Sequence, residues 1–234
     1  QRQMCIRDRD GKEYTLYQKW CEVHDKYPTQ EVNSFFDDKP TLKDPKQGAL
    51  LQEIKNNFWL PEDQEEYLYL EPELLWTDGD EVKSITGSEM PAIWNGMRTF
   101  LSTMKNNSNI GRNLNFLIRD KKTKKLLGVT CMSSDFLDLT PRDNYIGWER
   151  VAKTQRMINH TCIGSTIVPI QPLGYNLVGG KLLALLCLSD TVEKTWEYQY
   201  KDKLVGVTTT SLYGKTKEIP LSQYDRLKYW KKMG

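Results

Sequence analysis

The segment spanning residues 164–214 constrains the fold most. "GSTIVPIQPLG" is rich in β-branched residues and is stopped by Pro172 and Gly174, which predicts a strand with a defined end. "YNLVGGKLLALLCLSDTVEKTWEYQY" predicts a glycine-containing loop opening one long helix. Its Leu182, Leu185, Ser189, Val192, Trp196 and Tyr200 step by three or four. "LVGVTTTSLYG" predicts a second β-branched strand. Strand, helix and strand in that order form a βαβ unit, whose crossover is right-handed almost by rule.

Upstream, "NLNFLIRD" and "KLLGVTCMSS" flank the short basic run "KKTKK", which predicts an antiparallel hairpin. A hairpin beside a βαβ unit gives a mixed, mostly antiparallel sheet and an α+β fold. Before it, "SEMPAIWNGMRTFLSTMKNN" places Ile93, Met97, Phe100, Leu101 and Met104 on one helical stripe, with Ser88 as N-cap. "PRDNYIGW", 141–148, reads as a constrained loop between hairpin and βαβ unit, and a helix is expected from Glu149. "PLSQYDRLKYWKKMG" reads as a basic, aromatic closing helix.

The N-terminal part is less regular. "YTLYQKWCEVHDKY" and "GALLQEIKNNFW" have helical spacing, 39–47 reads as a linker, and 61–81 is acidic and either irregular or an edge strand. "QRQMCIRDR" has no apolar stretch, period or cap and reads as translated adapter sequence. The expected organisation is therefore residues 1–9 outside the fold, 10–83 a helical and irregular extension, and 84–234 the main domain, clipped at its C-terminus.

Charge narrows the functional classes little. Net charge is only +2, but the charges are segregated. Residues 62–90 carry ten acids and one lysine, 98–128 eight bases and one acid, and 215–234 six bases and two acids. Such runs are either solvated faces or local phosphate-binding patches. No apolar run approaches the ~18 residues that a membrane helix needs, so no membrane partner is expected. Five scattered cysteines and two histidines, with no C-x-x-C pair, give no zinc spacing and no expected metal, and a reducing cytoplasm is the expected setting.

Several residues are candidates for chemistry. Arg142 and Asp143 either pair and pin their loop, or act at a site, with Arg142 gripping a phosphate or carboxylate and Asp143 a general base. Tyr145 and Trp148 are anchors or stacking platforms for substrate. Gly179, Gly180 and Lys181 could cradle a cofactor phosphate at a helix start, or simply make the turn. Ser133, Ser134 and Asp135 lack a positioned histidine and read as a strand-end turn. Cys131 and Cys187 read as small core residues, and His160 as structural or a base.

"GVTCMSSD" followed by "PRDNYIGW", a strand ending in proline, a glycine and asparagine loop with a leucine-rich helix, "LVGVTTTSLYG" and a terminal "YWKKMG" together resemble the DruA family. The family is named for a component of the Druantia anti-phage system and is also found in phages and mobile elements. The resemblance covers about residues 113–234, with Gly128, Arg142, Asp143, Ile146, Gly147 and Trp148 its most specific part. The family's element order is similar to that of GNAT acyltransferases and phage Mom-type DNA-modifying proteins. That similarity implies an acyl-CoA cofactor held where two neighbouring strands splay, here 166–171 and 204–212. It implies cofactor contacts from the loop "QPLGYN", through Gln171, Gly174 and Asn176, where Asn176 replaces the usual second glycine. It also implies that Tyr213 protonates the leaving thiolate while an acceptor, such as a nucleobase, lies near Arg142, Tyr145 and Trp148. Two other classes remain open. One is a non-catalytic module binding nucleic acid or a partner through 121–125 and 226–232, with Trp148 and Trp230 stacking. The other is a structural virion or assembly protein.

Overall fold

A computed structural model describes residues 54, 56–61, 65–79, 84–85, 88–102, 110–150, 155–170, 179–210, 224 and 227–233 of the chain. The architecture is α+β. A five-stranded sheet runs in the order β1 (Pro72–Trp76), β4 (Asn113–Asp120), β5 (Leu126–Ser134), β6 (Thr161–Pro169) and β7 (Gly206–Thr208). A two-residue ladder, β2 (Ser84–Ile85) with β3 (Ser88–Glu89), stands apart. The α-helices among the described residues include α1 (Met90–Leu101), α2 (Thr140–Ile146), α3 (Gly179–Leu186) and α4 (Asp190–Tyr200).

The first three pairings of the sheet are antiparallel and the last, β6 with β7, is parallel. The predicted hairpin is β4 and β5, closed by residues 121–125. Asp120 makes that turn: its Oδ2 accepts from the Thr123 amide and hydroxyl, both at 2.8 Å, and its Oδ1 from the Glu71 amide at 2.9 Å. Burial works to raise the Asp120 carboxyl, but these donors outweigh it and hold it below the usual aspartate value. The predicted βαβ unit is β6, α3–α4 and β7. The acidic stretch read as irregular or an edge strand contains a 3-10 turn (Glu65–Leu68) and the edge strand β1.

The segregated charges are partners. β1 brings the acidic run against the basic run on β4 and its turn, with Arg119 Nε to Glu73 Oε1 at 2.6 Å, Lys122 to Glu71 at 2.8 Å and Lys124 to Glu73 at 3.4 Å. Burial pushes the Glu73 carboxyl up, but Arg119 and Lys124 outweigh it and hold it below its ordinary value.

Four local expectations are corrected. Helix α1 is N-capped by Glu89, not Ser88, because Ser88 pairs with Ile85 in the small ladder and Pro91 sets the first helical turn. "PRDNYIGW" is not a loop: Pro141 lies in the first turn of α2, and Gly147, at φ 79°, ends it in the left-handed conformation that glycine adopts freely. The single long helix is two. The α3 end tightens as Leu188 and Ser189 amides bond three residues back, and extended Ser189 restarts the chain, its carbonyl accepting from Val192 and Glu193 amides at 3.0 and 3.2 Å. Residues 227–233 of the predicted closing helix carry turns and no helix.

Two apolar clusters sandwich the sheet. On one face, Val129 and Cys131 of β5 pack with Met90, Ile93, Trp94 and Met97 of α1. On the other, Leu114, Phe116, Met132 and Cys162 pack with Val192 and Trp196 of α4. Gly128 lets α3 close on the sheet. A Cβ there would stand 2.6 Å from both the Val168 carbonyl oxygen and Leu183 Cδ2, and 2.9 Å from Pro169 Cα.

Candidate functional site

The end of β5 is where the chain gathers its buried polar groups. Asp135 follows the strand, and its carboxylate is wholly enclosed. Its Oδ1 accepts from the Phe136 amide and from Thr208 Oγ1 of β7, both at 2.8 Å. Its Oδ2 lies 3.0 Å from Arg142 Nη1, a charge contact without hydrogen-bond alignment. Arg142 itself is 1% exposed. Its Nε and Nη2 donate to Asp143 Oδ1 at 2.9 and 2.6 Å, Nη1 to the Phe136 carbonyl at 2.7 Å, and Nη2 also to the Leu137 carbonyl at 3.3 Å. Asp143 Oδ2 accepts from the Leu139 amide at 3.1 Å.

This geometry is that of the pinning pair: the guanidinium is spent on two carboxylates and two carbonyls of its own segment. The half-buried Trp148 lies under it, with Arg142 Cζ 5.4 Å from the ring centroid, as an anchor. Tyr145 is exposed on the outer side of α2, with Lys231 Nζ 3.9 Å from its ring centroid. Asp135, Arg142, Asp143 and Thr208 thus tie β5, α2 and β7 into one knot.

The knot sits beside a short strand pairing. Among the described residues β6 pairs with β7 over three residue pairs, Thr161 with Gly206, Cys162 with Val207 and Ile163 with Thr208. Thr209 Oγ1 still reaches the Gly164 carbonyl at 3.1 Å, and among the described residues no strand pairs with that side of β6 from 164 to 169. Within the same stretch β6 bulges: Cys131 faces Thr166 and Met132 faces Gly164, so Ser165 has no opposite number. Gly179, Gly180 and Lys181 form the first turn of α3, with Gly179 buried and Lys181 exposed. Gln171, Gly174, Asn176 and Tyr213 lie outside the described residues.

A second polar group went unread in the sequence. Asn113 and Asn115 on β4 stand opposite Ser133 and Cys131 on β5. Ser133 Oγ donates to Asn113 Oδ1 at 2.9 Å and meets Ser165 Oγ at 2.7 Å. Cys131 Sγ lies 3.3 Å from Ser133 Oγ. Arg98, on the last turn of α1, is buried, and that burial pushes its pKa down.

The remaining candidates are structural in their contacts. His160 Nδ1 meets the Lys203 carbonyl at 2.8 Å. Burial pushes the Cys162 and Cys187 thiols well up, which makes them inert core residues. Tyr224 is pushed up to about 12 by burial and stacks on Trp230. Trp230 Nε1 donates to the Ala184 carbonyl at 3.2 Å. Lys125 Nζ donates to the Asn56 carbonyl at 2.9 Å, so Lys122, Lys124 and Lys125 of the basic turn all have protein partners. Among the described residues no group of three or more His, Cys, Asp or Glu is placed to hold a metal ion, and no helix is long and apolar enough to cross a membrane.

Comparison with known proteins agrees with the sequence resemblance. "Druantia protein DruA" of Escherichia coli (strain UMEA 4076-1) is 30% identical over 139 residues, which cover 54% of this chain and 34% of that protein. The chain thus spans about a third of the length of that relative. No solved structure matches. The sequence profile of the family described as Druantia protein DruA matches residues 81–234, and by that match the chain belongs to the DruA family.

Proposed function

We propose that this chain serves anti-phage defence through a GNAT-like group-transfer domain that takes an acyl-CoA or a similar phosphate-bearing cofactor. The observation that supports the reading is the short parallel pairing of β6 with β7, three residue pairs among the described residues, with α3–α4 as the crossover between them. Strands that separate beyond such a pairing would leave unpaired backbone groups and a slot between them, and a crossover helix turns its first amides toward an anion at that end. Gly179 and Gly180 let a pyrophosphate approach the backbone closely, and exposed Lys181 adds a charge. Gln171, Gly174 and Asn176 would complete the cradle.

In the transfer step the acceptor's lone pair attacks the thioester carbonyl and the C–S bond breaks. The departing thiolate takes a proton, which this reading assigns to Tyr213, and the acceptor loses one to solvent. Arg142 and Asp143 are not among the reacting groups; they hold the knot that sets β7 in place. The acceptor class, a nucleobase included, is not selected by this step.

The test is thermal unfolding of the full chain with acyl-CoAs, CoA and nucleotides at fixed protein and salt. Ligand at ~100 times its Kd should stabilise the fold by ~2.7 kcal/mol. That gain should vanish in Gly180→Asp and shrink in Lys181→Ala. No shift with any CoA compound sinks the cofactor reading.

A further inference from the structure

The two tryptophans that the sequence offered for base stacking are engaged within the protein. Trp148 lies half-buried under Arg142. Trp230 donates its indole N–H to the Ala184 carbonyl and stacks on Tyr224, with ring centroids 5.9 Å apart. Two other rings of the same segments stand in solvent instead. Tyr145, on the outer side of α2, is 58% exposed, and Tyr229, in the turns of 227–233, is 77% exposed. Tyr229 also has a φ of 71°, in the left-handed region that a residue with a Cβ adopts only against strain. A strained backbone whose side chain buries so little gains nothing within the fold, which marks the position as one that meets something else.

Lysines frame both rings. Lys231 Nζ stands 3.9 Å from the Tyr145 ring centroid, and Lys228 Nζ 4.8 Å from that of Tyr229. The first contact joins the turns of 227–233 to α2, so both tyrosines belong to one surface. Residues 227–233 hold three lysines and no acid. All three lysines, Lys228, Lys231 and Lys232, are exposed, and none forms an ion pair among the described residues. The basic turn at 121–125 is different, because Lys122 and Lys124 already face Glu71 and Glu73. A ring beneath an ammonium covers one side of it and neutralises none of its charge.

Phosphates call for cations, and unpaired bases call for flat π-faces. Aromatic and basic side chains side by side supply both. An acidic peptide would use the lysines and leave the rings idle, and a duplex hides its base faces within the stack. We propose that Tyr145, Lys228, Tyr229, Lys231 and Lys232 form a docking surface for single-stranded DNA, with bases on the tyrosines and phosphates on the lysines. Stacking and phosphate contact are all that this surface uses, so a strand without 2′-hydroxyls satisfies it in full. None of the five residues belongs to the cofactor cradle, and the binding does not depend on the transfer reading.

The experiment is fluorescence anisotropy of a labelled oligothymidylate of about 12 nucleotides, titrated with the full chain at several salt concentrations and without CoA. Saturable binding is expected, weakening as salt rises. Tyr229→Ala and Tyr145→Ala should each weaken it about fivefold or more, melt at the wild-type temperature and leave the salt slope unchanged. Tyr229→Phe keeps the ring and should bind as the wild type does. Lys232→Gln should lower the log–log salt slope by about 0.7, the value for one phosphate contact on a single strand. If Tyr145→Ala melts early, the two Tyr229 variants decide. Absence of binding at low salt overturns the proposal, as does binding that survives Tyr229→Ala. A preference of about tenfold or more for oligouridylate, for duplex DNA or for a glutamate-rich peptide also overturns it, and assigns the surface to that partner instead.

Discussion

Two polar clusters lie at the same end of β5, and they differ in charge and in exposure. In the knot, Asp135, Arg142 and Asp143 are enclosed, and Arg142 spends its donors on its own segment. In the other, a polar half-face of the sheet, Asn113, Ser133 and Ser165 are linked by neutral hydrogen bonds, and the exposed Ser165 also donates to the Cys131 carbonyl at 3.3 Å. The charged cluster is the one that looks functional in a sequence, yet its guanidinium is committed to its own fold. Breaking a buried ion pair costs far more than removing an exposed neutral hydroxyl, so the two clusters should carry very different shares of the stability.

The harshest way to break this comparison is to empty the knot. Arg142→Ala strands two buried carboxylates and frees the Phe136 and Leu137 carbonyls. Loss of one partner from a buried pair costs about 3–5 kcal/mol. Urea denaturation should show that loss, with an unchanged slope if the native state stays compact. A stable Arg142→Ala that loses only ligand binding would return Arg142 to the site and undo the distinction.

Gly128→Ala tests the packing on which both clusters rest. Its Cβ would meet backbone atoms of Val168 and Pro169 as well as the Leu183 side chain, and only the side chain can swing aside. Overpacking of this kind costs about 1–3 kcal/mol. Calorimetry should give a lowered Tm, and Leu183→Ala in the same background should recover little, because the clash with the Val168 oxygen remains.

How much of this was legible before the structure varies by element. The hairpin was readable because two aliphatic runs flank a short polar turn. The βαβ unit was readable because β-branched runs bracket a helical period, although the Ser189 restart hid inside an unbroken stripe. Helix α2 is hard to read in "PRDNYIGW" because proline inside a short segment suggests a loop, whereas in a first turn it starts a helix. The Arg142–Asp143 pairing was readable from adjacency. Asp135 was not, because its β7 partner Thr208 stands 73 positions away. The half-face was missed for a related reason. Asn113, Ser133 and Ser165 are ordinary singly, and only cross-strand register plus one bulged residue puts them side by side. The acidic and basic runs were read as separate patches, and it is the β1–β4 register that makes them partners.

Asp120 offers a milder, saturated counterpart to the knot. Its three donors suit a carboxylate, whereas Asp120→Asn would aim an amide NH2 at an N–H. The cost should be about 1–3 kcal/mol at neutral pH. Its folded pKa lies below the usual 3.8, so the stability it adds is complete above that value. That contribution drains away as the pH falls through the folded pKa. The acid limb of wild-type stability should therefore be steeper than that of Asp120→Asn. Parallel limbs would mean that Asp120 holds no more tightly to its donors than an unfolded aspartate does to water.

The smallest effect belongs to the exposed hydroxyl on the bulge. Ser165→Ala removes a contact with Ser133 Oγ at 2.7 Å and a donation to the Cys131 carbonyl at 3.3 Å. Ser133 keeps its donation to Asn113. Substitutions at exposed positions mostly fall within about 0.5 kcal/mol of wild type. Denaturant midpoints should therefore nearly coincide. A Ser165→Ala that destabilises as much as Asp120→Asn would mean that the bulge hydroxyl is part of the scaffold. The half-face would then be a second knot, held by neutral hydrogen bonds as the first is by charges.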